Sequence, residues 1–301
     1  MQALVVGESL VDIVTRPGEE PITYPGGSPA NVAIGLARLG RDVQLLTWLG
    51  EDGHGDLVRD HLESSRVRIA SGSQRAEHTS TATATISEDG SASYVFDLTI
   101  DYPEHRVSDD TVVVHIGSIG AVLEPGATKV ATLLGSVRHR AVITYDPNLR
   151  PSIMGEPDAV RERIAELVAI SDVVKVSDED LSWLEPGREP LDVAREWATK
   201  GPALVAVTLG SEGSLAVTSG GEHTHVEAPR VDVADTVGAG DSFMGGLIDG
   251  LWSAGLLGAD KREAIGAISS SALATLLQQS ARIAAITVSR PGANPPTRLE
   301  L

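Results

Sequence analysis

Apolar residues recur along the chain in two periods. Short runs rich in Val and Ile fall at residues 3–7, 43–48, 112–116, 141–145, 172–176, 203–208 and 214–218, and such runs predict strands. Between them, helical spacing of apolar residues predicts helices at 29–39, 54–64, 127–137, 157–170, 191–200, 239–254 and 261–278. Near-continuous apolar runs, such as Val112 to Ile116 and Leu204 to Val207, suit a sheet covered on both faces. Strand–helix alternation implies βαβ units, hence an α/β fold around a mostly parallel sheet.

Two stretches depart from this alternation. Residues 11–24 (VDIVTRPGEEPITY) read as two short strands around a Pro-Gly turn. Residues 79–98 (TSTATATISEDGSASYVFDL) alternate around Asp89-Gly90, a hairpin signal. Together they predict a small β-sheet projecting from the main body. It reads as a lid over a cleft, the alternative being two decorative surface hairpins. Residues 291–298 (PGANPPTR) read as a surface segment.

Composition bounds the class. With 301 residues, 42% of them apolar, the chain makes one large domain or two small ones. It holds no Cys, so neither a disulfide framework nor a thiolate metal site is available. The start, MQALVVGESLVDIV, lacks a basic leader region and reads as a first strand. No apolar run reaches the roughly 18 residues of a membrane span. The expectation is a soluble cytoplasmic protein with no membrane partner. A net charge of −18 excludes whole-surface binding of nucleic acid. It leaves room for a small phosphate ligand held by backbone N–H groups.

Two segments carry candidate chemistry. Residues 235–250, DTVGAGDSFMGGLIDG, place a Gly-Ala-Gly turn before a helix with Asp241 in its first turn. Small residues let consecutive N–H groups face one hollow at a helix N-terminus, and a carboxylate beside such an anion hole can accept a proton from an attacking hydroxyl. Residues 25–40, PGGSPANVAIGLARLG, read as Ser28 capping a helix with Pro29 at its first position. Asn31 then lies in the first turn, able to face a ligand. There is no G-x-x-x-x-G-K-[ST], and the turn lacks the third glycine of G-x-G-x-x-G, that place being Phe243. A P-loop NTPase and a dinucleotide dehydrogenase lose their main support.

GGSPANVA and DTVGAGDSFMGG, in this order, resemble the two signatures of the ribokinase-like (PfkB) sugar kinases, and the likeness runs from Val5 to Pro296. The resemblance implies a three-layer α/β/α domain spanning 1–301, with a small β-sheet lid from about 11–24 and 79–98. It implies phosphorylation of a hydroxymethyl group by ATP with Mg²⁺, and often a monovalent cation such as K⁺. It further implies Asp241 as catalytic base and Gly238, Ala239 and Gly240, with the Asp241 amide, as the anion hole. Asp12, Gly26, Gly27 and Asn31 match the sugar-contacting positions.

Residues 145–150, YDPNLR, resemble the D-x-N-x-R of fructokinases, with Asn148 on the substrate side. Arg150 reads as a charge-assisted fork near substrate or transferred phosphate, or as a surface salt bridge. In 174–184, VKVSDEDLSWL, Ser177 and Asp180 stand where ribokinases carry Asn and Glu. Ser177 reads either as part of the nucleotide side or as a cap on the next helix. Residues 208–213, TLGSEG, resemble a nucleotide loop through Thr208, Gly210 and Gly213, or form a plain turn between strands. Residues 286–296, ITVSRPGANPP, resemble the closing segment on the nucleotide and cation side, and Asp235 fits a cation-binding turn. Tyr94 and Phe96 share a strand face and are expected to close over the sugar, or to pack between lid and body or between the lids of a homodimer. His223 and His225 read as residues of an exposed strand, and His115 as a buried, hydrogen-bonded histidine.

The expected activity is ATP-dependent phosphorylation of a keto-sugar, fructose first. The alternatives are 2-keto-3-deoxygluconate, ribose or a nucleoside as acceptor, and a non-catalytic sugar- or nucleotide-sensing protein on the same fold.

Overall fold

The computed structural model describes residues 1–87 and 92–301, so the Asp89-Gly90 turn lies outside the described residues. The main sheet is built from β1 (Gln2–Val6), β4 (Val43–Leu46), β5 (Arg68–Ile69), β8 (Thr111–Gly117), β9 (Val142–Asp146), β10 (Val173–Ser177), β11 (Leu204–Thr208), β12 (Ser214–Thr218) and β13 (His223–Val226). A smaller sheet is built from β2 (Leu10–Thr15), β3 (Ile22–Gly26), β6 (Thr81–Ile86) and β7 (Ala92–Asp97). The nine strands of the first sheet run in the order β13-β12-β11-β10-β9-β8-β1-β4-β5, and only the pairings of β12 are antiparallel. The apolar runs are buried on both faces, as the pattern predicts.

Side chains alternate across a strand, and the alternation divides the core in two. Leu4, Val6, Val114, Ile116, Val174 and Val176 pack beneath α3 (Gly126–Val137), α5 (Pro157–Ile170), α6 (Asp178–Leu184) and α7 (Pro190–Ala198). The short α4 (Pro151–Met154) buries Met154 in the same layer. Ala3, Val5, Val113, Val142 and Val173 pack beneath α1 (Ser28–Arg38), α2 (Gly53–Ser64), α8 (Ala239–Ser253), α9 (Arg262–Gly266) and α10 (Ser270–Val288). The result is the expected three-layer α/β/α architecture.

The helix expected over 261–278 is instead two helices, α9 and α10, and the second runs ten residues further, to Val288. Two contacts enforce the break. The carbonyl of Gly266 is taken by the amide of Gly220, in the turn between β12 and β13. Ser269 then starts α10 as its cap, accepting from the Ala272 amide. The closing segment 286–296 therefore begins inside a helix.

The smaller sheet joins both departing stretches, in the order β3-β2-β6-β7. Its register aligns Asp12 with Tyr24 on one side and with Ala82 and then Phe96 on the other. Residues paired in this way share a face, so Asp12, Tyr24 and Phe96 face the same way.

Candidate active site

The C-terminal ends of the parallel strands converge under the start of α8, where ligands bind in open α/β sheets. Gly238 caps α8 in the left-handed conformation, with φ 76°. A side chain there would come within 2.6 Å of the Ala293 Cβ, so the turn needs glycine both for its backbone and for the close approach of the C-terminal loop. Among the described residues, nothing accepts from the amides of Gly240 and Asp241. They leave two donors at the positive end of a 15-residue helix.

Asp241 is buried, and both of its carboxylate oxygens are held. Ser28 Oγ donates to Oδ1 at 2.6 Å and Asn31 Nδ2 donates to Oδ2 at 2.8 Å. The two sequence segments thus meet on one carboxylate across more than 200 residues of chain. The expected role of Ser28 is corrected: Gly27 is the helix cap, Ser28 is already helical, and its hydroxyl reaches Asp241 instead of the helix backbone. Asn31 spends its amide N–H on the same carboxylate.

Beneath the turn lies a buried polar row of which sequence reasoning had singled out His115 alone. On the face covered by α8, three adjacent strands change from apolar to polar toward their C-terminal ends: Val113 to His115, Val142 to Thr144 and Asp146, Val173 to Lys175. Lys175 Nζ lies 3.0 Å from Asp146 Oδ2, with the two side chains 4% and 0% exposed. Asp146 Oδ1 has no partner among the described residues. Burial alone would lower the Lys175 pKa, but Asp146, Asp180 and Asp241 around it outweigh that and hold the ammonium charged. His115 is buried as expected, with Nδ1 3.0 Å from Thr144 Oγ1. Burial and the Lys175 charge push its pKa down to about 3, so it is neutral. The available signal was a Lys inside the apolar run VVKV.

The smaller sheet borders the other side. Asp12 shows its carboxylate to solvent at the cleft, yet the surrounding wall raises its pKa, with Arg150 opposing. Its carboxylate lies across Gly26, where a Cβ would come within 2.4 Å of Oδ2, and Gly27 links that strand to α1. Arg150 Nη1 is held by Asn148 Oδ1 at 2.8 Å and by the Leu149 carbonyl, and its charge acts on Glu8 and Asp12. This puts Arg150 on the Asp12 side. Asn148 takes a left-handed φ of 40° to make that contact. Glu8, also missed, is buried and accepts from the Gly120 amide at 2.9 Å. Burial lifts its pKa to about 7, against hydrogen bonds from Ser118 and Gly120 and the Arg150 charge. Tyr94 and Phe96 stack, their ring centroids 6.1 Å apart and their planes within 6°. Tyr24, exposed on the same face, is a third aromatic that the pattern had not singled out.

On the β10–β11 side, Ser177 and Thr208 are register partners at the strand ends. Ser177 forms a reciprocal capping box with Asp180 at the start of α6, and Asp180 Oδ1 accepts from the Leu149 amide. Gly210 and Gly213 shape a short 3₁₀ turn from β11 to the antiparallel β12, both with positive φ. Asp235 binds the amides of Val237 at 3.0 Å and Gly292 at 2.9 Å, tying the turn before α8 to the C-terminal loop. His223 and His225 lie on β13, exposed. Among the described residues, no three His, Asp or Glu side chains converge as metal ligands, and no helix is long and apolar enough to cross a membrane.

Comparison with known proteins identifies the family. The model of the pfkB carbohydrate kinase family matches residues 3–299. A fructokinase of Rhizobium leguminosarum bv. trifolii is 33% identical over 82% of this chain and 79% of its own. A fructokinase of Escherichia coli is 32% identical over 86% and 87%. An aminoimidazole riboside kinase of Salmonella typhimurium is 32% identical over 81% and 79%. Among solved structures, a fructokinase from Xylella fastidiosa with bound ATP superposes with a TM-score of 0.80 at 24% identity, over 97% of this chain and 93% of that one. The aminoimidazole riboside kinase from Salmonella enterica, complexed with aminoimidazole riboside and an ATP analogue, gives 0.76 at 26% identity, over 97% and 95%. With one family model running through both signatures and curated relatives above 30% identity over most of their length, the chain belongs to the pfkB family of carbohydrate kinases.

Proposed function

We propose that this carbohydrate kinase transfers the γ-phosphoryl group of ATP to a primary hydroxyl of a keto-sugar, fructose first. The observation that carries the reading is the Asp241 carboxylate, held by Ser28 and Asn31 beside the free amides of the Gly238–Asp241 turn. A carboxylate fixed at both oxygens cannot swing away, so its lone pairs stay aimed at one place. The attacking hydroxyl gives its proton to Asp241 as its oxygen bonds to the γ-phosphorus and the bond from that phosphorus to the bridging oxygen breaks, releasing ADP. The amides of Gly240 and Asp241, with Gly238 and Ala239 shaping the hollow, donate to the transferred phosphoryl.

Asp12, Gly26, Gly27, Asn148 and Arg150 border the sugar, and the smaller sheet serves as a lid within a single 1–301 domain, bringing Tyr94 and Phe96 over it. Asn31 acts on the sugar through Asp241. Thr208, Gly210 and Gly213 border the nucleotide, and Ser177 supports that edge through its helix cap. Mg²⁺ would come with the ATP phosphates, since the chain provides no carboxylate cage, and would offset their charge. The Asp235 contacts fix two loops whose carbonyls could hold K⁺; the neighbour from Vibrio cholerae solved with fructose, ADP and potassium ion shares this fold. The lid leaves β3 and β7 as edge strands, able to pair in a cytoplasmic homodimer.

The aminoimidazole riboside kinase at similar identity supports a second reading, a ribonucleoside-like acceptor. ADP release measured over fructose, ribose, 2-keto-3-deoxygluconate and aminoimidazole riboside separates the two. Fructose should show the highest kcat/KM, and a clear preference for the riboside would replace it. Asp241→Asn should lower kcat by about 10²–10⁴-fold while ATP affinity is kept. Near-normal turnover would remove Asp241 as base.

A further inference from the structure

We infer that Lys175, held by Asp146 directly beneath the Gly238–Asp241 turn, is an electrostatic positioning residue that stabilises the phosphoryl group in transfer. The inference deepens the proposed reading of that turn and rests on it.

Three observations support it. The first is placement: a methyl group on Gly240 would come 2.8 Å from Lys175 Nζ, so the ammonium lies against the backbone that carries the two free amides. The second is isolation. The Lys175 side chain is 4% exposed and its partner Asp146 is fully buried, so the charge is little screened by water or salt. A buried charge pair seldom adds net stability over apolar residues of similar size, and Val173, two residues earlier on this face of β10, is in the apolar core. The third is the charge around it. Asp146 Oδ1 is unpartnered among the described residues, His115 beside the pair is neutral, and the other charges that face the ammonium, Asp180 and Asp241, are carboxylates, so Lys175 is the cation of this cluster.

The chain has four Lys, none in a P-loop. Lys175 supplies from below, through the backbone of the turn, the fixed cation that a phosphate loop usually presents directly. It favours anionic charge above Gly240. No atom of Lys175 needs to touch the substrate. Asp146 holds the ammonium in place, which gives the Asp of YDPNLR a role distinct from those of Asn148 and Arg150.

The test compares D146N, K175R and D146N/K175M. The double variant leaves neither charge buried alone. Each is measured for thermal unfolding, for kcat and KM on the best acceptor sugar, and for affinity toward ATP and toward ADP with aluminium fluoride, a mimic of the phosphoryl in transfer. D146N and K175R, which keep a cation, should retain kcat within about tenfold of the wild type. D146N/K175M should lose about 10²–10³-fold in kcat. Its KM for ATP should stay within about threefold, and its affinity for the aluminium fluoride complex should fall in parallel with kcat. Should the double variant show no unfolding transition, K175Q takes its place with the same expectation, because its amide can still donate to Asp146. A neutral variant whose kcat is within threefold of D146N, or whose ATP and mimic affinities fall equally, overturns the inference. The mimic needs no sugar, so a wild type inactive on fructose would refute the fructose assignment alone and leave this comparison standing.

Discussion

Glu8 shows how a single buried group ties the site to stability. Its pKa rises from 4.5 to about 7 chiefly because burial disfavours the charged form. The native state therefore binds a proton that the unfolded chain has lost between those values. The contribution is fully present below pH 4.5 and is lost as pH rises through 7. Glu8→Gln keeps an acceptor for the Gly120 amide and removes the titration. Urea unfolding at pH 5 and pH 8 should show the wild type losing about 2.5 kcal/mol more than the variant over that interval. Equal losses would mean that Glu8 titrates as an exposed carboxyl. Asp241 differs in kind: two donors from α1 occupy its two oxygens, and neither contact is readable from local spacing, because they join residues 210 and 213 apart.

At the scale of elements, helix starts explain most of the site. α8 begins at a left-handed glycine with no side-chain cap, which leaves its amides free for a ligand. α6 begins with a reciprocal Ser177–Asp180 box that satisfies its own. The site thus holds one open and one closed helix terminus. Ser177→Ala should cost about 1 kcal/mol in the urea midpoint, the usual worth of a cap; no measurable loss would mean that the Ser177 hydroxyl serves something other than the helix. Both helix starts were marked in the sequence by glycine or serine before a periodic run. The break between α9 and α10 was not, since it depends on a carbonyl taken by a distant strand turn.

At the scale of the molecule, the two sheets divide the labour. The main sheet carries Asp146, Lys175 and the helix termini, and the smaller sheet carries Asp12 and the aromatic face. Tyr94 is 60% exposed, so Tyr94→Ala should change stability by less than about 0.5 kcal/mol. If the sheet closes over the acceptor, the same change should raise KM for the sugar several-fold and leave KM for ATP unaltered. Steady-state kinetics with each substrate varied in turn reads both, and an unchanged sugar KM would count against closure. The charge of −18 does not by itself exclude a triphosphate, because backbone amides can hold phosphate without net positive charge.

Periodicity, turn residues and two short signatures sufficed for the α/β class, most element positions, the smaller sheet and the turn before Asp241. These follow from local physics: side-chain alternation, helical spacing, and the backbone freedom of glycine. The Ser28–Asn31 clamp on Asp241, the Lys175–Asp146 pair under Gly240, the burial of Glu8 and the alignment of Asp12 with Tyr24 and Phe96 arose only on folding. Each depends on strand order, register or helix packing between segments far apart in the chain. A hydrogen bond or desolvation energy exists only once both partners share one place, and the folded sheet is what brings them there.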